Sequence, residues 1–166
     1  MPSDPTLQRM RRIHALEHAT IHVLSARHPR RFFAGRSDRH GFIILGKATL
    51  ENITSAAASA LIRLQDGEKE LAYHPNCGTN LVVAGLLAGT ASFLTTISFR
   101  DKSWKDRLEQ LPTVVAVTTL TLLAAQPLAR LAQERVTTNA DPGTMQIVRV
   151  EPVSLGGKTA HRVIVS

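Results

Sequence analysis

The sequence predicts a mainly α-helical membrane protein with three parts: a helical metal-binding head, a two-helix transmembrane hairpin and a small C-terminal β-hairpin. Three observations support this fold class. Histidines recur at helical spacing near the N-terminus, two long apolar runs follow, and the chain closes on two loosely alternating segments around a glycine pair. We expect the head over residues 1–78, the hairpin over 79–132 and the β tail over 133–166.

The first helix is predicted to begin after Asp4, a good N-cap, and to end before Pro29. It carries the pattern His14-Ala-Leu-Glu17-His18. Residues four apart on a helix lie on the same face, so His14 and His18 can bind one ion. The order His-x-x-Glu-His is the inverted form of the zincin motif, which places a glutamate beside the ligands as a candidate general base.

A second polar motif, His74-Pro-Asn-Cys77, can supply the third and fourth ligands that a two-histidine helix lacks. Zinc favours imidazole nitrogen and thiolate sulfur in a tetrahedral shell, which makes zinc the expected ion. The alternative is structural: histidines on an amphipathic helix often face solvent or the core, and a lone cysteine is often a small buried hydrophobe.

Between the two motifs, residues 29–47 are basic and rich in glycine, and they are expected to form a loop with a short strand over Phe42–Leu45. Thr49 is predicted to cap a second helix that ends at Gly67. The small and apolar side chains of this helix keep helical spacing, so it should pack against the first helix.

The first apolar run, Thr79–Phe99, contains no charged residue and is long enough to cross a bilayer at 1.5 Å per residue. A buried core helix is the alternative. The second run is predicted to span over residues 111–129 and to kink or end at Pro127. Gly85 and Gly89 form a small-residue face through which helices can approach closely, either within the hairpin or in a homo-oligomer.

The charge distribution predicts orientation and partners. Of the 20 basic residues, eleven precede the first apolar run, four lie between the runs and five follow from Arg130 onward, so both termini are expected in the cytoplasm. The net charge of +7 suits anionic membrane lipids. Nucleic acid is not expected, because the chain has one Trp, one Tyr and no nucleic-acid module.

Two further expectations come from the cysteine count and the termini. One cysteine excludes an intramolecular disulfide framework, and the N-terminal residues lack the apolar segment of a secretory signal. At the other end, Met145–Val153 and His161–Val165 are predicted as two strands joined by a turn at Gly156-Gly157.

In these motifs the chain resembles the YqhQ-like family of bacterial membrane proteins, as a shorter relative. The resemblance covers about residues 10–99, and it rests on the two motifs above and on Thr49-Leu-Glu51-Asn52. That family is described as predicted metal-dependent enzymes of unknown substrate. The resemblance implies a protein of the bacterial inner membrane with Glu17 as acid/base and four metal ligands, His14, His18, His74 and Cys77.

Two more residues take expected roles from the resemblance. His22 stands where that family usually has asparagine, and it is predicted either as a spare ligand or as a group that holds another ligand. Glu51 either stabilises the start of the second helix or hydrogen-bonds a ligand histidine.

The residues leave three functions open. In a metal-dependent hydrolase, His14, His18 and His74 hold zinc, water takes the fourth position, and Glu17 accepts its proton before attack on a peptide or a lipid headgroup. In a scaffold or adaptor, Cys77 closes a structural four-ligand shell. In a metal-independent adaptor, the histidines form only a polar seam between helices.

Overall fold

A computed structural model describes residues 5–98, 103–156 and 158–166. The chain divides into two compact units. The head unit consists of the chain up to His74 together with Glu134–Ser166, and the hairpin unit is Pro75–Gln133. The predicted N-cap Asp4 and the predicted end of the first apolar run at Phe99 lie outside the described residues.

The helices of the head unit follow the predicted pattern. Helix α1 spans Pro5–Arg27 and α2 spans Leu50–Gln65, and a short 3-10 helix follows over Lys69–Ala72. The hydroxyl of Thr49 accepts a hydrogen bond from the N–H of Asn52 at 3.2 Å, which confirms the predicted cap.

The sheet of the head unit joins segments from both ends of the chain. Strands β1 (Ala34–Asp38) and β2 (Gly41–Leu45) form one hairpin, and β3 (Ile147–Leu155) and β4 (Lys158–Val165) form another. All pairs are antiparallel, and the order is β1-β2-β4-β3. The C-terminal hairpin was predicted, but it shares one sheet with the head instead of forming a separate tail.

The core of the head unit lies between this sheet and the two long helices. On β2 the alternating residues Phe42 and Ile44 are fully buried, as is Val163 opposite Phe42 on β4. Ile13 and Leu16 contribute fully buried side chains from α1 to the same cluster. Packing against this core fixes the position of α1, which carries the histidines.

In the hairpin unit, α3 spans Gly78–Ile97, a short α4 spans Trp104–Glu109 and α5 spans Leu111–Ala132. The helical segments 78–97 and 104–137 are long and apolar enough to cross a membrane, and their side chains are mostly exposed. The hydroxyls of Ser92 and Thr118 share a hydrogen bond of 2.6 Å between α3 and α5.

For two details of the hairpin, the structure excludes one of the two predicted alternatives. Helix α5 continues past Pro127 to Ala132 and is followed by a π-helical turn over Gln133–Thr137, so the proline does not end the helix. Gly85 and Gly89 are exposed, and a Cβ on either would meet no atom within 4 Å in the described part of the chain. These glycines therefore do not bring α3 close to α5, and their role in a homo-oligomer stays a prediction.

Candidate metal centre

Three of the predicted residues lie along one side of α1. The rings of His14 and His18 are 4.4 Å apart between centroids, and a nitrogen of each lies within 4.8 Å of the other. His22 continues the row one turn later. The helical spacing inferred from the sequence therefore does bring the pair together.

Each of these rings is held by a backbone carbonyl of the head unit. Nδ1 of His18 lies 2.7 Å from the carbonyl oxygen of Ala72, and Nε2 of His22 lies 2.7 Å from that of Tyr73. Nδ1 of His14 lies 3.0 Å from the carbonyl oxygen of Thr137. A carbonyl oxygen can only accept, so these ring nitrogens carry the protons.

The carbonyl contacts fix the tautomers of the neutral rings. The lone pair of His14 and of His18 must lie on Nε2, whereas that of His22 must lie on Nδ1. Histidines that bind metals almost always donate their other N–H in this way, which sets the tautomer and the ring orientation. Three neighbouring histidines thus have the hydrogen-bonding arrangement of metal ligands.

His74 joins this group from the end of the head unit. Its ring lies 5.8 Å from that of His18 and 4.9 Å from that of His22. With about 2.0–2.1 Å between zinc and nitrogen and a tetrahedral angle at zinc, two imidazoles on one ion have ring centres about 5.2 Å apart. The separation from His22 is close to this value, and the separation from His18 is slightly longer. Burial, and then the nearby His22 and His18, lower the pKa of His74 to about 4, so it is neutral at pH 7.

Glu17 is buried on α1 against the first strand. The hydroxyl of Ser37 donates a hydrogen bond to its Oε2 atom. A Cβ on Gly35 would lie 2.7 Å from Cγ and Cδ of Glu17, so only glycine leaves room for this side chain. Ser37 and Gly35 were not predicted as site residues, because no local pattern shows that β1 packs on α1.

The remaining predicted residues take different positions. Cys77 belongs to the hairpin unit, where it is the N-cap of α3, three positions after His74. Glu51 is exposed in the first turn of α2, where a carboxylate interacts favourably with the helix dipole. This position corresponds to the first of the two roles predicted for Glu51. The structure thus gathers His14, Glu17, His18, His22 and His74 within the head unit.

Comparison with known proteins identifies relatives of the chain. A family model described as a domain of unknown function (DUF6391) matches residues 9–150. An uncharacterised protein of Picosynechococcus sp. is 34% identical over 143 residues, which cover 78% of this chain and 65% of the length of that relative. No solved structure matches the chain. Since the family model covers most of the sequence, the protein belongs to the DUF6391 family.

Proposed function

We propose that the protein is a membrane-anchored zinc-binding protein that acts as a metal-dependent hydrolase, with His14, His18 and His74 as ligands. The observation that carries the proposal is the set of carbonyl contacts on the neighbouring histidines of α1. A histidine that merely fills a surface position needs no fixed tautomer. Rings held in this way present defined nitrogen lone pairs before any ion is bound.

Cys77 is proposed as a further ligand on the basis of chain connectivity. Only two residues separate it from His74, a spacing common in zinc sites. Its thiolate would close a four-ligand shell, which is the arrangement of structural sites. A zinc-stabilised scaffold is therefore the second candidate function, and the role of Cys77 decides between the two.

Glu17 favours the hydrolase over the scaffold. A structural zinc site has no use for a buried carboxylate within one turn of two of its ligands, whereas a hydrolase requires a general base there. Zinc, when bound, supplies Lewis-acid activation of water or of a substrate oxygen. Glu17 accepts the proton of the attacking water, while Ser37 and Gly35 hold its carboxylate in place.

The first test measures metal content and hydrolysis on full-length protein in detergent. In the hydrolase, Glu17→Gln is expected to keep about one zinc per chain. The same change should lower cleavage of fluorescein-labelled casein, or of phosphatidylglycerol headgroups in vesicles, by at least about 100-fold, because the general base is lost. Cleavage equal to that of the unaltered protein would contradict the role of Glu17.

Cys77→Ala is the matched variant that separates the two functions. An open three-histidine site keeps its zinc and its cleavage in this variant. Loss of zinc from the Cys77→Ala variant, together with no cleavage by the unaltered protein, would favour the scaffold.

The proposed substrate class depends on the membrane. Helix α3 begins at Gly78, four residues after His74, so the chain between them spans at most about 14 Å. If α3 and α5 cross the bacterial inner membrane, the site lies at its cytoplasmic surface. Peptide segments and headgroups of anionic lipids are the substrates and partners available there.

Cysteine labelling tests the proposed topology. We expect Ser103→Cys, between the two apolar helices, to react with a membrane-impermeant maleimide on intact spheroplasts, and Ser166→Cys to react only after lysis. Both variants carry Cys77→Ala, since Cys77 is the one cysteine of the sequence. The reverse labelling pattern would contradict the orientation predicted from the basic residues.

A further inference from the structure

The outer edge of β1 is open in the described part of the chain. The sheet order begins with β1, and its one paired neighbour is β2. An edge strand presents unpaired N–H and C=O groups that another extended segment can pair with.

The hydrogen bonding of the neighbouring strands determines which residues of β1 present these unpaired groups. The N–H of Val165 donates to the carbonyl of His40 at 3.1 Å, while Gly41 lies opposite Ile164. In an antiparallel ladder, a bond at this position means that Gly41 and Ile164 form a non-hydrogen-bonded pair. The N–H and C=O groups of Gly41 therefore point towards β1, where they pair with Asp38.

Hydrogen-bonded and non-hydrogen-bonded pairs alternate along an antiparallel ladder. Since Asp38 and Gly41 form a hydrogen-bonded pair, the next hydrogen-bonded pair is Arg36 with Ile43, and the last is the pair at the other end of β1. The N–H and C=O groups of Gly35 and Ser37 therefore point away from β2, towards the open edge.

The same two residues form the support of Glu17. The Ser37 side chain donates to the Glu17 carboxylate, and Gly35 provides the space that this carboxylate occupies. A strand added to the edge would lie about 4.8 Å from β1. Its backbone would pair with Gly35 and Ser37 beside the carboxylate that we assign as the general base.

The charge of the edge indicates which peptide fits. Arg36 is exposed and lies on the face opposite to Ser37, and Arg39 is exposed in the adjoining turn. Arg162 neutralises Asp38 through hydrogen bonds of 2.9 and 2.7 Å. The edge is therefore positively charged, and acidic side chains on the added strand would pair favourably with it.

We propose that the substrate is an extended, acidic polypeptide segment that binds to β1 as an added antiparallel or parallel strand. The backbone of Gly35 and Ser37 holds it, which brings a peptide bond to Glu17. This inference rests on the proposed hydrolase and narrows its substrate from two classes to one: an extended peptide rather than a lipid headgroup.

The test measures peptide binding by NMR on the full-length 15N-labelled protein in detergent. The probe is the acetylated and amidated hexapeptide Thr-Glu-Val-Glu-Thr-Val, compared with a version methylated at alternate backbone nitrogens. We expect saturable shifts of the Gly35 and Ser37 amides with the first peptide. Methylation of the paired edge should weaken binding by about tenfold, because backbone hydrogen bonds are lost.

Two variants at one position check the backbone contact. Ser37→Pro removes an N–H that takes no part in the sheet, a replacement that edge strands tolerate, and it should weaken binding about tenfold. Ser37→Ala removes the hydroxyl but keeps the N–H, so comparing the two variants distinguishes the effect of losing the N–H from the effect of losing the hydroxyl. If Ser37→Pro fails to fold, the methylated peptide still provides the test.

The outcomes distinguish this proposal from the hydrolase proposal. Equal binding of both peptides, or shifts only with phosphatidylglycerol vesicles, would overturn the strand-addition proposal while zinc content is unaffected. Binding that follows the predicted pattern in protein that takes up no zinc would support the docking edge and overturn the metal site.

Discussion

His18→Ala is expected to leave the purified protein with less than about a tenth of a zinc ion per chain, against about one in the unaltered protein. His18 is the most buried of the neighbouring histidines on α1, at 2% exposed, and its Nδ1 atom is held by the Ala72 carbonyl. The replacement removes a preoriented nitrogen from the proposed site, so the remaining proposed ligands should not form a complete shell. Elemental analysis of detergent-purified protein measures the effect.

His40→Ala is the matched control, because His40 is exposed in the turn between β1 and β2. It should keep the zinc content of the unaltered protein. Circular dichroism spectra of both variants establish that the helices are retained. Equal zinc in the His18 and His40 variants, or none in the unaltered protein after metal supplementation, would contradict the metal centre.

Phe42→Ala is expected to destabilise the head unit by about 3–5 kcal/mol, the cost of removing a fully buried phenylalanine from a packed core. Phe42 is 0% exposed and lies opposite Val163 on β4. Its loss removes packing between the N-terminal and C-terminal parts of the sheet. Urea unfolding of the full-length protein in detergent measures the stability of this unit, with limited proteolysis at sites within residues 5–74 as the readout.

Phe32→Ala controls for the change in amino-acid type. Phe32 is 77% exposed, and its replacement should change the stability by no more than about 0.5 kcal/mol. A Phe42 variant as stable as the Phe32 variant would show that the two parts of the sheet do not share one core.

Local patterns in the sequence predicted the helices and part of the site. Periodic apolar residues and the Thr49 cap defined α2, and the four-residue spacing of His14 and His18 placed both on one face. These features depend on residues within one or two turns of each other. The two apolar helices were recognisable for the same reason, from length and lack of charge.

The rest of the fold and site depends on contacts between distant residues. The pairing of β2 with β4 and the carbonyl that Thr137 offers to His14 join opposite ends of the chain. The space that Gly35 provides for Glu17 becomes visible only when β1 is packed on α1. At Pro127 the local rule allowed either a kink or an end of the helix, and packing decides between them: α5 continues through this proline although it lacks the N–H of a regular helix.

The separation between His14 and Thr137 also dictates when the site can form during biosynthesis. These residues are 123 positions apart, and at about 5–20 residues per second the ribosome needs about 6–25 s to make the intervening chain. Helix α1 therefore emerges well before the carbonyl that orients its first histidine and the strand that completes its sheet. The carbonyls of Ala72 and Tyr73 that orient His18 and His22 are made before the apolar helices, whereas the His14 ring can be oriented only after both of them have been translated. The proposed metal site is therefore completed late in biogenesis.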